Sequence, residues 1–241
     1  MTVATPLAGR TALVTGASRG IGQAVAARLA AAGARVALLG RSVEALARVA
    51  SSLGAGAVAI PCDVTRPGDV EDATARVTDA FRGAPDILVN NAGLFHLQRV
   101  EETMPLDFAR TLETNLIAPF RFVRAFLGAM RERASGHVVT VGSIADRATF
   151  PENGAYAASK HGLRALHEVM RAELLGSGVR ATLVSPGPVD TPLWDPIDPG
   201  SRPGFTPRSA MLPATAVADA ILYALTCPPS VNVDELRLTR A

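Results

Sequence analysis

Thr11-Ala12-Leu13-Val14-Thr15-Gly16-Ala17-Ser18-Arg19-Gly20-Ile21-Gly22 decides how the rest of the chain is read. An apolar, β-branched run passes directly into three glycines, and an alanine-rich segment of helical character follows. Glycine allows a tight turn and close backbone approach, and the helix N-terminus beyond it offers free N–H groups to a phosphate. Three glycines alone are weak evidence. Between a strand and a helix, at the start of a βαβ unit, they mark a dinucleotide pyrophosphate site. The spacing is TGxxxGxG rather than GxGxxG. Gly16, Ser18, Arg19, Gly20, Ile21 and Gly22 are therefore candidate cofactor contacts.

Outward from this turn the same rhythm repeats. Apolar runs at 11–15, 35–39, 57–62, 87–90, 137–141 and 180–184 read as strands. Segments at about 20–32, 43–53, 67–82, 105–132 and 154–175 read as helices, and a last helix near 213–226 leads to a short strand around Leu236. Apolar strands alternating with helices predict a parallel sheet covered on both faces. Right-handed crossovers make it a doubly wound Rossmann fold, an α/β single domain over residues 1–241 with about seven strands. Residues 186–213 break the rhythm with eight of the 17 prolines and the only tryptophan, Trp194. Following a strand, this stretch emerges at the ligand-binding edge of the sheet and reads as a substrate lid. A rigid surface loop is the alternative.

Composition narrows the class. The 241 residues are 48% hydrophobic and 19% charged, with a net charge of +2 and no basic run. A sizeable core is expected, and neither nucleic acid nor a membrane surface is an expected partner. Cys62 and Cys227 lack metal-ligand spacing and read as reduced structural thiols. No metal site is expected. Residues 1–10 hold no apolar leader segment, and a cytoplasmic protein is expected.

Of 24 basic residues only one is a lysine, Lys160, and it lies four residues after Tyr156. Positions i and i+4 share a helix face, so the ammonium can stand beside the phenol and favour its ionised form. Taken alone, the pair reads equally well as a surface lysine beside a core tyrosine. Other stretches add to it: Asn90-Asn91-Ala92-Gly93 after the fourth strand, Asn115 in the long helix, Ser143 after the fifth strand, Asp63-Val64, and Pro186-Gly187 with Val189 and Thr191. Together these motifs resemble the short-chain dehydrogenases/reductases over essentially the whole chain.

That resemblance implies an NADP-dependent or NAD-dependent oxidoreductase acting between a carbonyl and a secondary alcohol. Tyr156 would be the general acid/base. Lys160 would hold the nicotinamide ribose, Ser143 would bind the substrate oxygen, and Asn115 would support a water relay. Asp63 and Val64 would contact the adenine. Asn91, Ala92, Gly93, Pro186, Gly187, Val189 and Thr191 would line the cofactor site. The second strand ends Gly40-Arg41-Ser42 with no carboxylate before Glu44, so Arg41 and Arg19 point to a 2′-phosphate and to NADP(H), with Ser42 a further candidate cofactor contact. The family further implies a homodimer or homotetramer.

Substrate identity is less legible. His96 and Trp194 are candidate substrate contacts, and His137 is expected at a surface strand start. The chain end, Ser230-Val231-Asn232-Val233-Asp234-Glu235-Leu236, resembles that of the 3-hydroxy acid and serine dehydrogenase subgroup. A 3-hydroxy acid or small ketone is the substrate so implied. A 3-oxoacyl-carrier reductase, docking through Arg121, Arg124 and Arg131, is the alternative enzyme. A non-catalytic dinucleotide-sensing regulator is the alternative of another class.

Overall fold

The computed structural model describes residues 5–241; residues 1–4, part of the N-terminal stretch read above for a leader, lie outside the described residues. Seven parallel strands form the central sheet. In chain order they begin with β1 (Thr11–Thr15), β2 (Arg35–Gly40), β3 (Ala57–Pro61), β4 (Ile87–Asn90), β5 (Gly136–Val141) and β6 (Val179–Pro186). After two short strands, β7 (Val189–Asp190) and β8 (Leu212–Pro213), β9 (Glu235–Leu238) completes the sheet. The order across it is β3-β2-β1-β4-β5-β6-β9, with β7 and β8 paired separately.

The helices are α1 (Gly20–Ala31), α2 (Val43–Leu53), α3 (Pro67–Phe81), α4 (Pro105–Leu112), α5 (Ala118–Glu132), α6 (Gly154–Glu173) and α7 (Ala214–Thr226). They cover both faces. Val14, Val36, Val89 and Val139 pack beneath α1 and α7, while Leu13, Leu88 and Val138 pack against the α5 and α6 side. Strand side chains alternate between faces, so a strand buried on both must be apolar at every position. β1 and β4 satisfy this nearly throughout.

Two elements differ from expectation. The segment 105–132 is not one helix: a π-helical turn, Glu113–Ile117, separates α4 from α5. Pro119 lacks the N–H that an α-helix would give to the Asn115 carbonyl, which removes a bond where the wider turn forms. The proline-rich segment is also more regular than its composition suggests. It contains β7, β8 and three short 3-10 turns at Pro192–Trp194, Pro199–Ser201 and Arg208–Ala210. Among the described residues, no helix is long and apolar enough to cross a membrane.

Candidate active site

The carboxyl ends of the strands open into one cleft of about 930 Å³. At one end lies the glycine turn. Gly16 has φ +67°, and a Cβ there would come within 2.9 Å of Ala92 Cα; at Gly22 a Cβ would sit 2.2 Å from the Gly16 carbonyl oxygen. Only glycine fits either place. Thr15 fixes this turn to the next loop: its Oγ1 accepts from the N–H groups of Asn91 and Ala92, both at 3.0 Å. The Asn91 amide returns the contact, donating to the carbonyls of Thr15 (2.9 Å) and Gly16 (3.3 Å).

Arg19 is the N-cap residue of α1, and no side chain caps that helix. Ser18, Gly20 and Ile21 share its cleft wall, and Arg41 faces the cleft from the end of β2. Ser42 does not line it: its Oγ accepts from Ala45 N at 3.1 Å and donates to Glu44 Oε2 at 3.1 Å, capping α2. Asp63 and Val64 do line the cleft. Burial opposes ionisation of the Asp63 carboxyl, but the Thr65 N–H and hydroxyl, with Arg41 and Arg110, hold it below the usual carboxylate range. Burial, aided by Asp69 and Asp63, pushes the neighbouring Cys62 thiol up to about 12.

At the other end, α6 presents Tyr156 and Lys160 from its first two turns. Lys160 is only 4% exposed, and its Nζ donates to the Val141 carbonyl at 2.9 Å. The same nitrogen lies 5.6 Å from the centre of the Tyr156 ring. Burial lowers the ammonium to about 8, against the opposing pull of Asp146. Burial raises the Tyr156 phenol to about 12; the Ser143 hydroxyl beside it works the other way, and Asp146 adds to the rise. The direction expected from the ammonium alone is thus reversed. This pocket holds the phenol protonated, because removing a phenolate from water outweighs one neighbouring charge.

Asn115 is fully buried, and its amide is occupied. Its Oδ1 accepts from Leu94 N at 2.7 Å, while Nδ2 donates to Leu94 O at 2.8 Å and Ser159 Oγ at 2.9 Å. Ser159 Oγ in turn donates to the Tyr156 carbonyl at 2.7 Å. The side chain therefore fastens the 91–94 loop to the start of α6. Ser143 caps a short turn, Ile144–Asp146, through the N–H of Ala145. Pro186, Gly187, Val189 and Thr191 line the cleft on the side of the proline-rich segment.

A family model described as short chain dehydrogenase matches residues 10–201. The chain belongs to that family. An uncharacterized oxidoreductase of Staphylococcus haemolyticus is 35% identical over 233 residues, covering 96% of this chain and 97% of the relative. Among solved structures, an alcohol dehydrogenase of Thermococcus sibiricus complexed with 5-hydroxy-NADP superposes with TM-score 0.85 at 33% identity, covering 95% of each chain. A 3-ketoacyl-(acyl-carrier-protein) reductase of Brucella melitensis complexed with NADH gives TM-score 0.85 at 26% identity, over 96% of this chain and 97% of that one.

In this short-chain dehydrogenase some sequence-marked residues lie elsewhere than expected. His96 is exposed, its Nε2 3.3 Å from Gln98 Oε1, and it does not line the cleft; Phe95 and Leu97 do. Alternation along an extended loop explains the exchange, since neighbours of an inward residue point out. His137 is buried rather than at the surface. Arg121 is ion-paired with Glu113 and is not a free docking cation. Trp194 lines the cleft, with its Nε1 donating to the Val189 carbonyl at 3.1 Å.

Three residues that no motif marked complete the site: Ser159, Phe95 and Asp146. Thr15 opens the TGxxxGxG pattern, but its part in tying the turn to the next loop shows only in the fold. Asp146 had no signal in the sequence. It is 1% exposed, accepts from Ser185 Oγ, and leaves its Oδ1 without a hydrogen-bond partner.

Proposed function

We propose that this oxidoreductase interconverts a carbonyl and its secondary alcohol with NADP(H), using Tyr156 as the general acid/base. The observation that carries the reading is the meeting of Tyr156, Lys160 and Ser143 at one end of a cleft whose other end is the glycine turn. The residues fit a dinucleotide. Any side chain at Gly16 or Gly22 would collide with the backbone that shapes the turn, and the uncapped start of α1 suits a pyrophosphate. Bound there, the nicotinamide would supply or accept the hydride. Arg19 and Arg41, with no carboxylate at the end of β2, favour a 2′-phosphate, in keeping with the 5-hydroxy-NADP in the Thermococcus sibiricus structure.

The chain's own residues then handle the proton and the oxygen. Ser143 donates to the substrate oxygen as negative charge grows on it. The phenol, held protonated by burial, delivers its proton to that oxygen in the reducing direction. The ammonium of Lys160 has three hydrogens, and with one on Val141 it offers the others to the ribose hydroxyls and to the phenolate left behind. Asn115 acts by position. Both its amide hydrogens are committed, so a proton relay to solvent would use its backbone carbonyl, which Pro119 cannot engage. Association as a homodimer or homotetramer belongs to the same reading, supported by exposed Leu106, Ile117, Phe120 and Val169 on α4 to α6.

The test is NADPH oxidation driven by ketones. The expected result is a higher kcat/KM with NADPH than with NADH, a gap that Arg41→Asp narrows or reverses. No turnover of any ketone would favour a dinucleotide sensor. A wild-type preference for NADH would remove the role given to Arg19 and Arg41.

A further inference from the structure

We propose that the substrate of this site carries a flat aromatic ring near its carbonyl or carbinol carbon, seated against Phe95 and Trp194. The proposal rests on the oxidoreductase reading above and names its substrate class. Phe95 stands edge-on to the reactive phenol of Tyr156, with ring centres 4.8 Å apart and planes at 69°. It stands edge-on again to Trp194, at 5.0 Å and 71°, and Trp194 meets Phe205 at 6.5 Å and 80°. All four rings line the same cleft. Perpendicular rings present both faces and edges, the geometry in which a further aromatic ring gains more than its buried area alone provides.

Two polar groups beside the rings, on Trp194 and Arg202, are already engaged. The indole N–H of Trp194 is spent on Val189 O at 3.1 Å, so that ring meets a ligand as an apolar surface. Arg202 is ion-paired with Glu152 at 3.5 Å and lies 5.5 Å from the centre of the Phe205 ring. The Glu152 carboxylate beside it weakens its pull on a substrate carboxylate. This disfavours the 3-hydroxy acid suggested by the chain end. A saturated acyl chain could fill the space but would gain nothing from the ring edges.

The experiment compares kcat/KM with NADPH for benzylacetone, its cyclohexyl counterpart and acetoacetate. The first two ketones are alike in reach and reactivity and differ in the ring. Benzylacetone is expected to lead the saturated ketone by about tenfold, the combined effect of a few edge-to-face contacts. Acetoacetate is expected to trail both. Phe95→Leu should lower the benzylacetone value about fivefold more than the cyclohexyl value, on the same footing. Equal values for the two ring ketones, an equal effect of Phe95→Leu on both, or a lead for acetoacetate would overturn the proposal. Calorimetric binding of benzyl alcohol and cyclohexylmethanol to the enzyme with NADPH reads the pocket without turnover, since neither the reduced cofactor nor the alcohol can accept a hydride. Preferential benzyl alcohol binding with no ketone turnover would sink the oxidoreductase reading but support the aromatic seat. No preference between the two alcohols would overturn the seat itself.

Discussion

Burial raises the Tyr156 phenol and lowers the Lys160 ammonium, while Asp146 adds to the first shift and opposes the second, and this balance sets two expectations. The ammonium is almost wholly enclosed and is fixed on Val141 O at 2.9 Å. An arginine would keep the charge but replace a compact cation with a wide planar fork. Lys160→Arg is therefore expected to remain folded, by circular dichroism, and yet to lose about 10²-fold in kcat, the scale of a displacement near 1 Å in a catalytic group. Wild-type turnover in the folded variant would show that the lone lysine has no catalytic reason. Asp146 gives the second expectation. Its carboxylate raises the phenol and supports the ammonium, so Asp146→Asn should lower both. Alcohol oxidation needs the phenolate, and its rise with pH should move toward lower pH in the variant. A pH–rate profile that stays in place would remove Asp146 from the proton chemistry.

At the scale of elements, what could be read in the sequence is what local pattern determines. β1 and β4 begin and end where their apolar runs do, because a doubly covered strand shows its burial directly in composition. The π-turn at Glu113–Ile117 was written in Pro119, yet the amphipathic pattern of 105–132 masked it. The place of Asp146 could not be read at all, since a carboxylate in a turn is buried only by the strands that later surround it. The proline-rich segment 186–213 combines both cases. Its prolines were visible, but the clamp that organises it joins residues separated in the chain: Arg208 donates to Asp190 (2.7 Å), Asp195 (2.6 Å) and the Thr191 carbonyl (3.0 Å). One exposed ion pair contributes little, whereas three contacts from one guanidinium fix a geometry. Arg208→Ala is expected to make Trp194 more accessible to acrylamide quenching and to raise KM for the carbonyl substrate several-fold. An unchanged quenching constant would mean that the prolines hold the segment unaided.

The whole molecule carries its own acid limit in two histidines on opposite sides of the sheet. His137 and Thr140 are three residues apart on β5 and so face opposite sides. His137 Nε2 pairs with Thr182 Oγ1 at 2.8 Å, and His167 Nδ1 on α6 pairs with Thr140 Oγ1 at 2.9 Å. The second ring nitrogen of each has no partner, and the rings are 1% and 2% exposed. Burial, with Arg180, Arg10 and His167 adding to it, lowers His137 from 6.5 to about 3. Burial and Arg171, against Asp234 and Glu235, lower His167 from 6.5 to about 4. Above 6.5 neither state binds the protons, and stability is full. Below it the unfolded chain takes them up first, and stability falls until the folded imidazoles titrate. Between pH 6.5 and 4.5, before most carboxylates respond, each histidine should cost about 1.4 kcal/mol per pH unit. Urea unfolding across that window is expected to show a slope approaching two protons for the wild type and near one for His167→Gln. A slope below one proton in the wild type would mean that the two cores admit the charge, by water or by local opening, before the fold gives way.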